Sequence, residues 1–239
     1  MFIPRIYYPH PLQIDTTVTL DKVMCHYLTQ VLRLKEGETL ILFNGEGGQY
    51  LGQCHFMKKV VQVALTTFEN INRESTLQLH LGQGLVRGDR MDWVIQKATE
   101  LGVQQITPLI SALCNVKLDE ERSQKRLVHW QNIAISACEQ SGRTQLPIIH
   151  PPLPLAKWVA QSFQGTSLVF DTNSDVPLKN LLPNNSFRLA IGPESGWQWE
   201  EIQWMVAQGF TACSLGPRIL RTETAPIVAL GILQGLFGY

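Results

Sequence analysis

Leu77, Leu79 and Leu81 alternate with polar residues, the period of a strand that buries one face. From Asp89 the spacing changes. Met91, Val94, Ile95, Ala98 and Leu101 recur every three or four residues, which predicts a helix capped by Asp89 and stopped by Gly102. The exchange of periods then repeats. A strand is predicted at 106–110, and Asp119 opens a long helix with Leu127, Trp130, Ala134, Ala137 and Ser141 on one face and Gly142 beyond it. Strands follow at 167–171 and 187–192, a helix at 200–208, a strand at 211–215 and a last helix at 223–237. Pro226 is tolerable in the first turn of that helix, where its missing N–H has no intrahelical partner to lose. Strand–helix alternation implies an α/β domain with a mostly parallel sheet and helices on both faces.

Before residue 75 the rhythm differs. Short apolar runs at 18–20, 39–43, 50–54 and 60–68 predict strands, with Asn44-Gly45 as a hairpin signal. One short helix, 26–32, interrupts them; Asp21 is its N-cap candidate and Gly37 follows its end. Strands at this spacing suggest a small barrel, and the polar run 70–75 reads as a linker. The expected domains are therefore 1–72, mostly β, and 73–239, α/β.

Composition narrows the classes. The 239 residues carry 20 basic and 20 acidic side chains, seven of each before residue 76, so bulk charge gives no support for nucleic-acid binding. Five scattered cysteines form no C-x-x-C pair, which argues against a disulfide framework or a structural metal. No apolar run approaches the ~20 residues that span a bilayer, and Met1–Arg5 lacks a signal-peptide pattern. The expectation is a cytoplasmic protein with no membrane segment and no metal.

Candidate chemistry gathers between Arg188 and Ala225. Two glycine-bearing turns end two predicted strands: Ile191-Gly192-Pro193-Glu194-Ser195-Gly196, and Leu215-Gly216-Pro217-Arg218-Ile219-Leu220-Arg221-Thr222-Glu223. Ligands of α/β sheets sit at the carboxyl ends of strands, so the pair suggests one pocket. The first turn alone favours a plain strand-to-helix connection, with Ser195 as N-cap and Gln198 completing a capping box. The second is harder to read as packing, because Arg218, Arg221 and Glu223 crowd a connection that should be small and polar. Gly82-Gln83-Gly84 fails as a dinucleotide fingerprint, since Arg87 stands where the third glycine belongs. Those two glycines are expected to permit a tight turn or to let Arg87 and Arg90 approach a partner. The basic side chains along the two long helices read, by themselves, as solvated surface.

Taken together, these segments resemble the 16S ribosomal RNA (uracil-N3) methyltransferases of the SPOUT class. The matching pieces are Ile3-Pro4-Arg5, Val31-Leu32-Arg33-Leu34 with Gly37, Phe43-Asn44-Gly45 with Gly48, and Ile95 to Val103. They continue with Glu139-Gln140 and Arg143, Ile191-Gly192-Pro193-Glu194, Leu215-Gly216 with Arg218, and Arg221-Thr222-Glu223-Thr224. They follow the family's order across nearly the whole chain.

The resemblance implies a PUA-like RNA-binding barrel followed by a SPOUT methyltransferase domain with a C-terminal trefoil knot. It also implies a homodimer, S-adenosyl-L-methionine as methyl donor, and 16S ribosomal RNA of the small ribosomal subunit as substrate. Three loops would hold the donor: Leu168 to Phe170; Ile191, Gly192, Pro193 and Gly196; and Leu215, Gly216, Ile219 and Leu220. The family has Gly-Pro-Glu-Gly-Gly where this chain has Ser195 in fourth place, which requires a negative φ there. Transfer to N3 needs the base unpaired or flipped, a proton acceptor, and donors for charge spreading onto O2 and O4. Arg221 is expected to meet that charge or a flanking phosphate, and Glu194 or Glu223 to take the proton or orient Arg221. Arg5, Arg33 and Lys35 are expected to dock RNA phosphates. Arg87, Arg90, Lys97 and Arg143 line either the RNA path or the dimer interface. Two other readings stay open: a non-catalytic RNA-binding assembly factor, and a SPOUT enzyme acting on another RNA such as transfer RNA.

Overall fold

A computed structural model describes residues 3–58, 60–114 and 119–238. The chain forms two compact units, one from the segment up to Glu74 together with Cys138–Leu146, the other from Ser75–Ala137 and the chain from Pro147 onward.

The first unit is built on β1 (Arg5–Tyr7), β2 (Thr17–Thr19), β3 (Thr39–Phe43), β4 (Gln49–Met57) and β5 (Val60–Glu69), with α1 (Lys22–His26) between β2 and β3. The sheet order is β1-β3-β4-β5-β2; β1 runs parallel to β3 and the other pairs are antiparallel. Ile6, Leu28, Leu40, Leu42, Cys54, Val61, Val63 and Leu65 form its buried core. The connection after Phe43 is longer than a two-residue hairpin, and it turns through positive φ at Gly45, Gly47 and Gly48. The short helix starts earlier than the apolar pattern suggested. Asp21 does cap it, accepting from Met24 N–H at 2.8 Å, but after His26 the chain widens into a π-helical turn, Tyr27–Val31. Arg33 then leaves it at φ 55°.

Residues 138–146 are drawn into this unit by side chains whose partners are far away in sequence. Arg5 donates to the carbonyls of Cys138, Glu139 and Arg143 and lies over the Phe43 ring. The Glu139 carboxylate accepts from Tyr7 N–H at 3.0 Å. Arg143, only 3% exposed, donates twice to Glu74, which also accepts from the N–H groups of Thr144 and Gln145.

The second unit alternates as the periodicity predicts. Its elements are β6 (Gln78–Gly84), α2 (Arg90–Glu100), β7 (Gln105–Ile110), α3 (Glu120–Ser141), β8 (Ile148–Ile149), β9 (Leu153–Pro154), α4 (Leu155–Val159), β10 (Thr166–Phe170), β11 (Ser186–Ile191), α5 (Trp199–Ala207), β12 (Thr211–Cys213) and α6 (Thr224–Leu233). Every pairing is parallel, in the order β12-β10-β11-β6-β7-β8, with β9 beside the end of β7. Successive side chains of a strand point to opposite faces. Leu168, Leu189 and Ile191 accordingly join the core shared with α2, α3 and α6, while Val169 and Ala190 join the one shared with α4 and α5.

Two strand glycines are spacing devices rather than turn residues. A Cβ on Gly82 would lie 2.6 Å from the Trp158 ring, and one on Gly84 would lie 2.5 Å from Pro193 N. β6 therefore runs unbroken through both, because each missing side chain admits a neighbour from another element. Two caps also differ from expectation. Asp89 stands at the start of α2 but makes no side-chain cap bond. Gln198, not Ser195, begins α5, and its N–H donates to the Glu201 carboxylate at 2.9 Å.

Candidate active site

Because β12, β10 and β11 are neighbours in one parallel sheet, the loops leaving their carboxyl ends meet on one edge. They enclose a cavity of about 820 Å³, within the range of small-molecule sites. Phe170 to Asn173 line one wall, Ile191 to Trp197 a second, and Leu215, Gly216 and Arg218 to Glu223 a third.

The second wall starts from a tight turn in which Gly196 N–H donates to Pro193 O at 2.9 Å. Gly196 holds φ +71°, a conformation side chains resist, whereas Ser195 is not among the residues with positive φ. The serine is thus compatible with the turn, and position 196 is where glycine is needed. Gly192 serves by close approach: a Cβ there would meet the Gly196 backbone at 3.1–3.2 Å.

The turn is fastened from outside. Glu194 Oε1 accepts from Arg87 N–H and from the Arg90 guanidinium, both at 3.1 Å. Thr222 Oγ1 donates to Gly192 O at 2.7 Å, and Gln83 Nε2 reaches Thr222 Oγ1 at 3.1 Å and Gly192 O at 3.3 Å. Thr222 therefore ties the third wall to the second.

Two polar atoms at the cavity are buried without a hydrogen-bond partner, Glu223 Oε2 and Trp197 Nε1. Buried polar groups are almost always paired, so each exception asks for an explanation. A ligand is one. Apolar Phe170, Ile191, Leu215 and Leu220 beside Asp171, Glu223 and the exposed Arg221 suit a ligand with an apolar body and charged ends.

The sequence model of the RNA methyltransferase domain matches residues 73–234, and that of the RNA methyltransferase PUA domain matches 25–53. The chain belongs to the RNA methyltransferase family. It is similar to the ribosomal RNA small subunit methyltransferase E of Buchnera aphidicola from Schizaphis graminum, 39% identical over 99% of this chain and 97% of that one. The protein of the same name from Bacillus subtilis is 32% identical over 87% and 86%. A Legionella pneumophila structure in complex with bound SAM matches with TM-score 0.96 and 38% identity over the whole of both chains. The Neisseria gonorrhoeae ribosomal RNA small subunit methyltransferase E, bound to S-adenosyl methionine, matches with TM-score 0.93 and 37% identity over 99% of each. The fold is that of the SPOUT RNA methyltransferases, a parallel-sheet domain preceded by a PUA-like one. Members of the family use S-adenosylmethionine.

Against that family background the residues singled out in sequence fall into three groups. Phe170, Ile191, Gly192, Pro193, Gly196, Leu215, Gly216, Ile219 and Leu220 line the cavity, as do Glu194, Arg221 and Glu223. Leu168 does not. It shares a strand face with Phe170 but is fully buried in the core, two residues short of the carboxyl end of β10 from which the wall begins.

The basic residues divide more sharply. Arg33 and Lys35 are exposed on the first unit, and Arg87 is exposed on the second. Arg90 lines the cavity, paired with Glu194. Lys97 is paired with Glu100 at 2.8 Å and lies over the Trp93 ring. Arg5, expected to dock RNA phosphates, and Arg143, expected at the RNA path or the dimer interface, point inward, and their guanidinium groups bond to carbonyls and to Glu74. Sequence reasoning missed Gln83 and Trp197. The signal for Gln83 was present, as one amide inside the otherwise apolar run from Leu81 to Val86.

Proposed function

We propose that the protein methylates N3 of a uridine in the 16S ribosomal RNA of the small ribosomal subunit, using S-adenosylmethionine held in the 820 Å³ cavity. The observation that carries the chemical part is the unpartnered, buried Oε2 of Glu223 in the wall of that cavity. Its companion candidate, Glu194, is engaged by two donors on its other side. When bound, the cofactor supplies a methyl group activated as an electrophile. The walls built by Gly192, Gly196 and Gly216 would hold it, their lack of side chains allowing close backbone approach. Glu223 would accept the N3 proton, and the methyl would pass from the sulfonium to N3 with the neutral thioether S-adenosylhomocysteine left behind. Arg221, exposed at the cavity rim, meets the charge that spreads onto the uracil oxygens.

The same reading extends to the surroundings. Arg33, Lys35, Arg87 and Arg218 are exposed cations that would meet phosphates. The protein works as a cytoplasmic homodimer, a state that the 85% exposure of Ile219 at the cavity rim supports. Light scattering reads the mass directly.

Calorimetry with S-adenosylmethionine, together with mass spectrometry of 16S RNA from cells lacking the gene, tests the proposal. Micromolar binding and a uridine that loses its N3-methyl are expected. An unchanged modification map sinks the N3 assignment, and absent binding sinks the enzymatic one.

A further inference from the structure

Gln83 is the last residue but one of β6, and its side chain is fully buried. Its Nε2 lies 3.1 Å from Thr222 Oγ1, 3.3 Å from Gly192 O and 3.2 Å from the neighbouring Gly84 O. Thr222 Oγ1 gives its own proton to Gly192 O at 2.7 Å. The orientation of the amide follows from its neighbours, since turning it over would set Oε1 against two carbonyl oxygens. One carbonyl of the cofactor turn therefore receives two donors, and the Thr222 hydroxyl links them.

An apolar side chain would suit a core strand better. Gln83 keeps its place although Oε1 is buried without a partner, an arrangement that general packing does not reward. The next residue reinforces the same contact: Gly84 admits Pro193 by lacking a Cβ. Two consecutive residues of one strand are thus adapted to a turn more than a hundred positions away.

We propose that Gln83 is a positioning residue. Acting with Thr222 on the Gly192 carbonyl, it keeps the cofactor turn in one arrangement with the segment that carries Arg221 and Glu223. The inference rests on the methyltransferase reading of the cavity.

The test uses Gln83→Met, Thr222→Val, Thr222→Ser and the Gln83→Met/Thr222→Val double variant of the full chain. Calorimetry measures S-adenosylhomocysteine binding, and steady-state kinetics measures KM for RNA. Loss of one such bond is expected to weaken binding about tenfold in each of Gln83→Met and Thr222→Val. Thr222→Ser, which keeps the hydroxyl, stays within about twofold of the unaltered protein, and KM for RNA hardly moves. The double variant binds about as weakly as the worse single one, because both changes release the same carbonyl. Should Gln83→Met fail to fold, the near-isosteric Thr222 pair still decides. Binding by Thr222→Val equal to that of Thr222→Ser, or independent effects that multiply in the double variant, overturns the inference. If the unaltered protein itself does not bind, the methyltransferase reading falls and this inference with it.

Discussion

Glu194 Oε1 and the Arg90 guanidinium stand 3.1 Å apart, so the carboxylate of the cofactor turn is fastened to the start of α2. Arg87 N–H adds a second donor to the same oxygen. The pair is partly exposed, and its net contribution to stability is small, roughly 0–1 kcal/mol. Its effect is to aim the turn, and in the mechanism proposed above the proton passes to Glu223 instead.

Glu223→Gln is therefore expected to lower kcat by about 10²-fold or more, the usual range for losing a general base, with cofactor affinity nearly kept. Glu194→Gln, which retains an acceptor for Arg90 and Arg87, is expected to change kcat by less than about fivefold. Single-turnover methylation of RNA with both variants distinguishes the two; equal losses would refute the assignment.

The glycines of the turn give a second comparison. Ser195→Gly should leave cofactor binding unchanged, because Ser195 has no positive φ to relieve. Gly196→Ala meets nothing within 4 Å but must adopt φ +71°, which costs about 1–2 kcal/mol. Gly84→Ala is worse in kind, since its Cβ strikes backbone at Pro193. Calorimetric affinities should fall in the order Ser195→Gly, Gly196→Ala, Gly84→Ala.

Arg143 and Glu74 are 4% and 9% exposed at their side chains and 2.6 Å apart. Removing one member of a buried pair leaves the other charge uncompensated, which typically costs about 3–5 kcal/mol. Arg143→Ala should lower the denaturation midpoint by a corresponding amount. A variant that keeps its stability but loses RNA affinity would place Arg143 on the RNA path instead.

Acid stability should depend on His80. Its ring lies against Trp158, His150 and Thr107, and burial, reinforced by His150 and Arg188, lowers its pKa from 6.5 to about 3. Between those values the unfolded chain binds a proton that the folded protein refuses, so stability is complete above pH 6.5 and declines as pH falls toward 3. The slope is on the order of 1 kcal/mol per pH unit for one such group. Thermal melts from pH 7 to pH 4 should show the decline, and His80→Gln should flatten it.

Much of this architecture was legible in the chain because it is local. The change from period 2 to period 3.6 after Leu81 marks β6 and α2, and the apolar face of α2 is the face that is buried. Two of the three cavity walls were legible as glycine turns at strand ends; the wall at 170–173, without a glycine, was implied only by the family resemblance. What escaped was non-local. Arg5 and Arg143 look like surface cations in sequence, and only the folding together of 1–74 with 138–146 turns them inward. Gln83 looked like part of a failed nucleotide motif because its partners lie 109 and 139 residues away. Leu168 lies on the same strand face as Phe170, and its depth in β10, two residues short of the loop, is what keeps it in the core.

The long reach of β6 also sets an order of events during synthesis. Its flank on the β11 side and the partners of Gln83 belong to the last third of the chain, so a ribosome must deliver residues 186–222 before that edge of the sheet can close. At about 5–20 residues per second, the strand waits several seconds with its pairing groups unclaimed. Contacts so distant in sequence close slowly. The nascent domain therefore passes through a window of vulnerability to aggregation, and the cavity is among the last features of the molecule to come into existence.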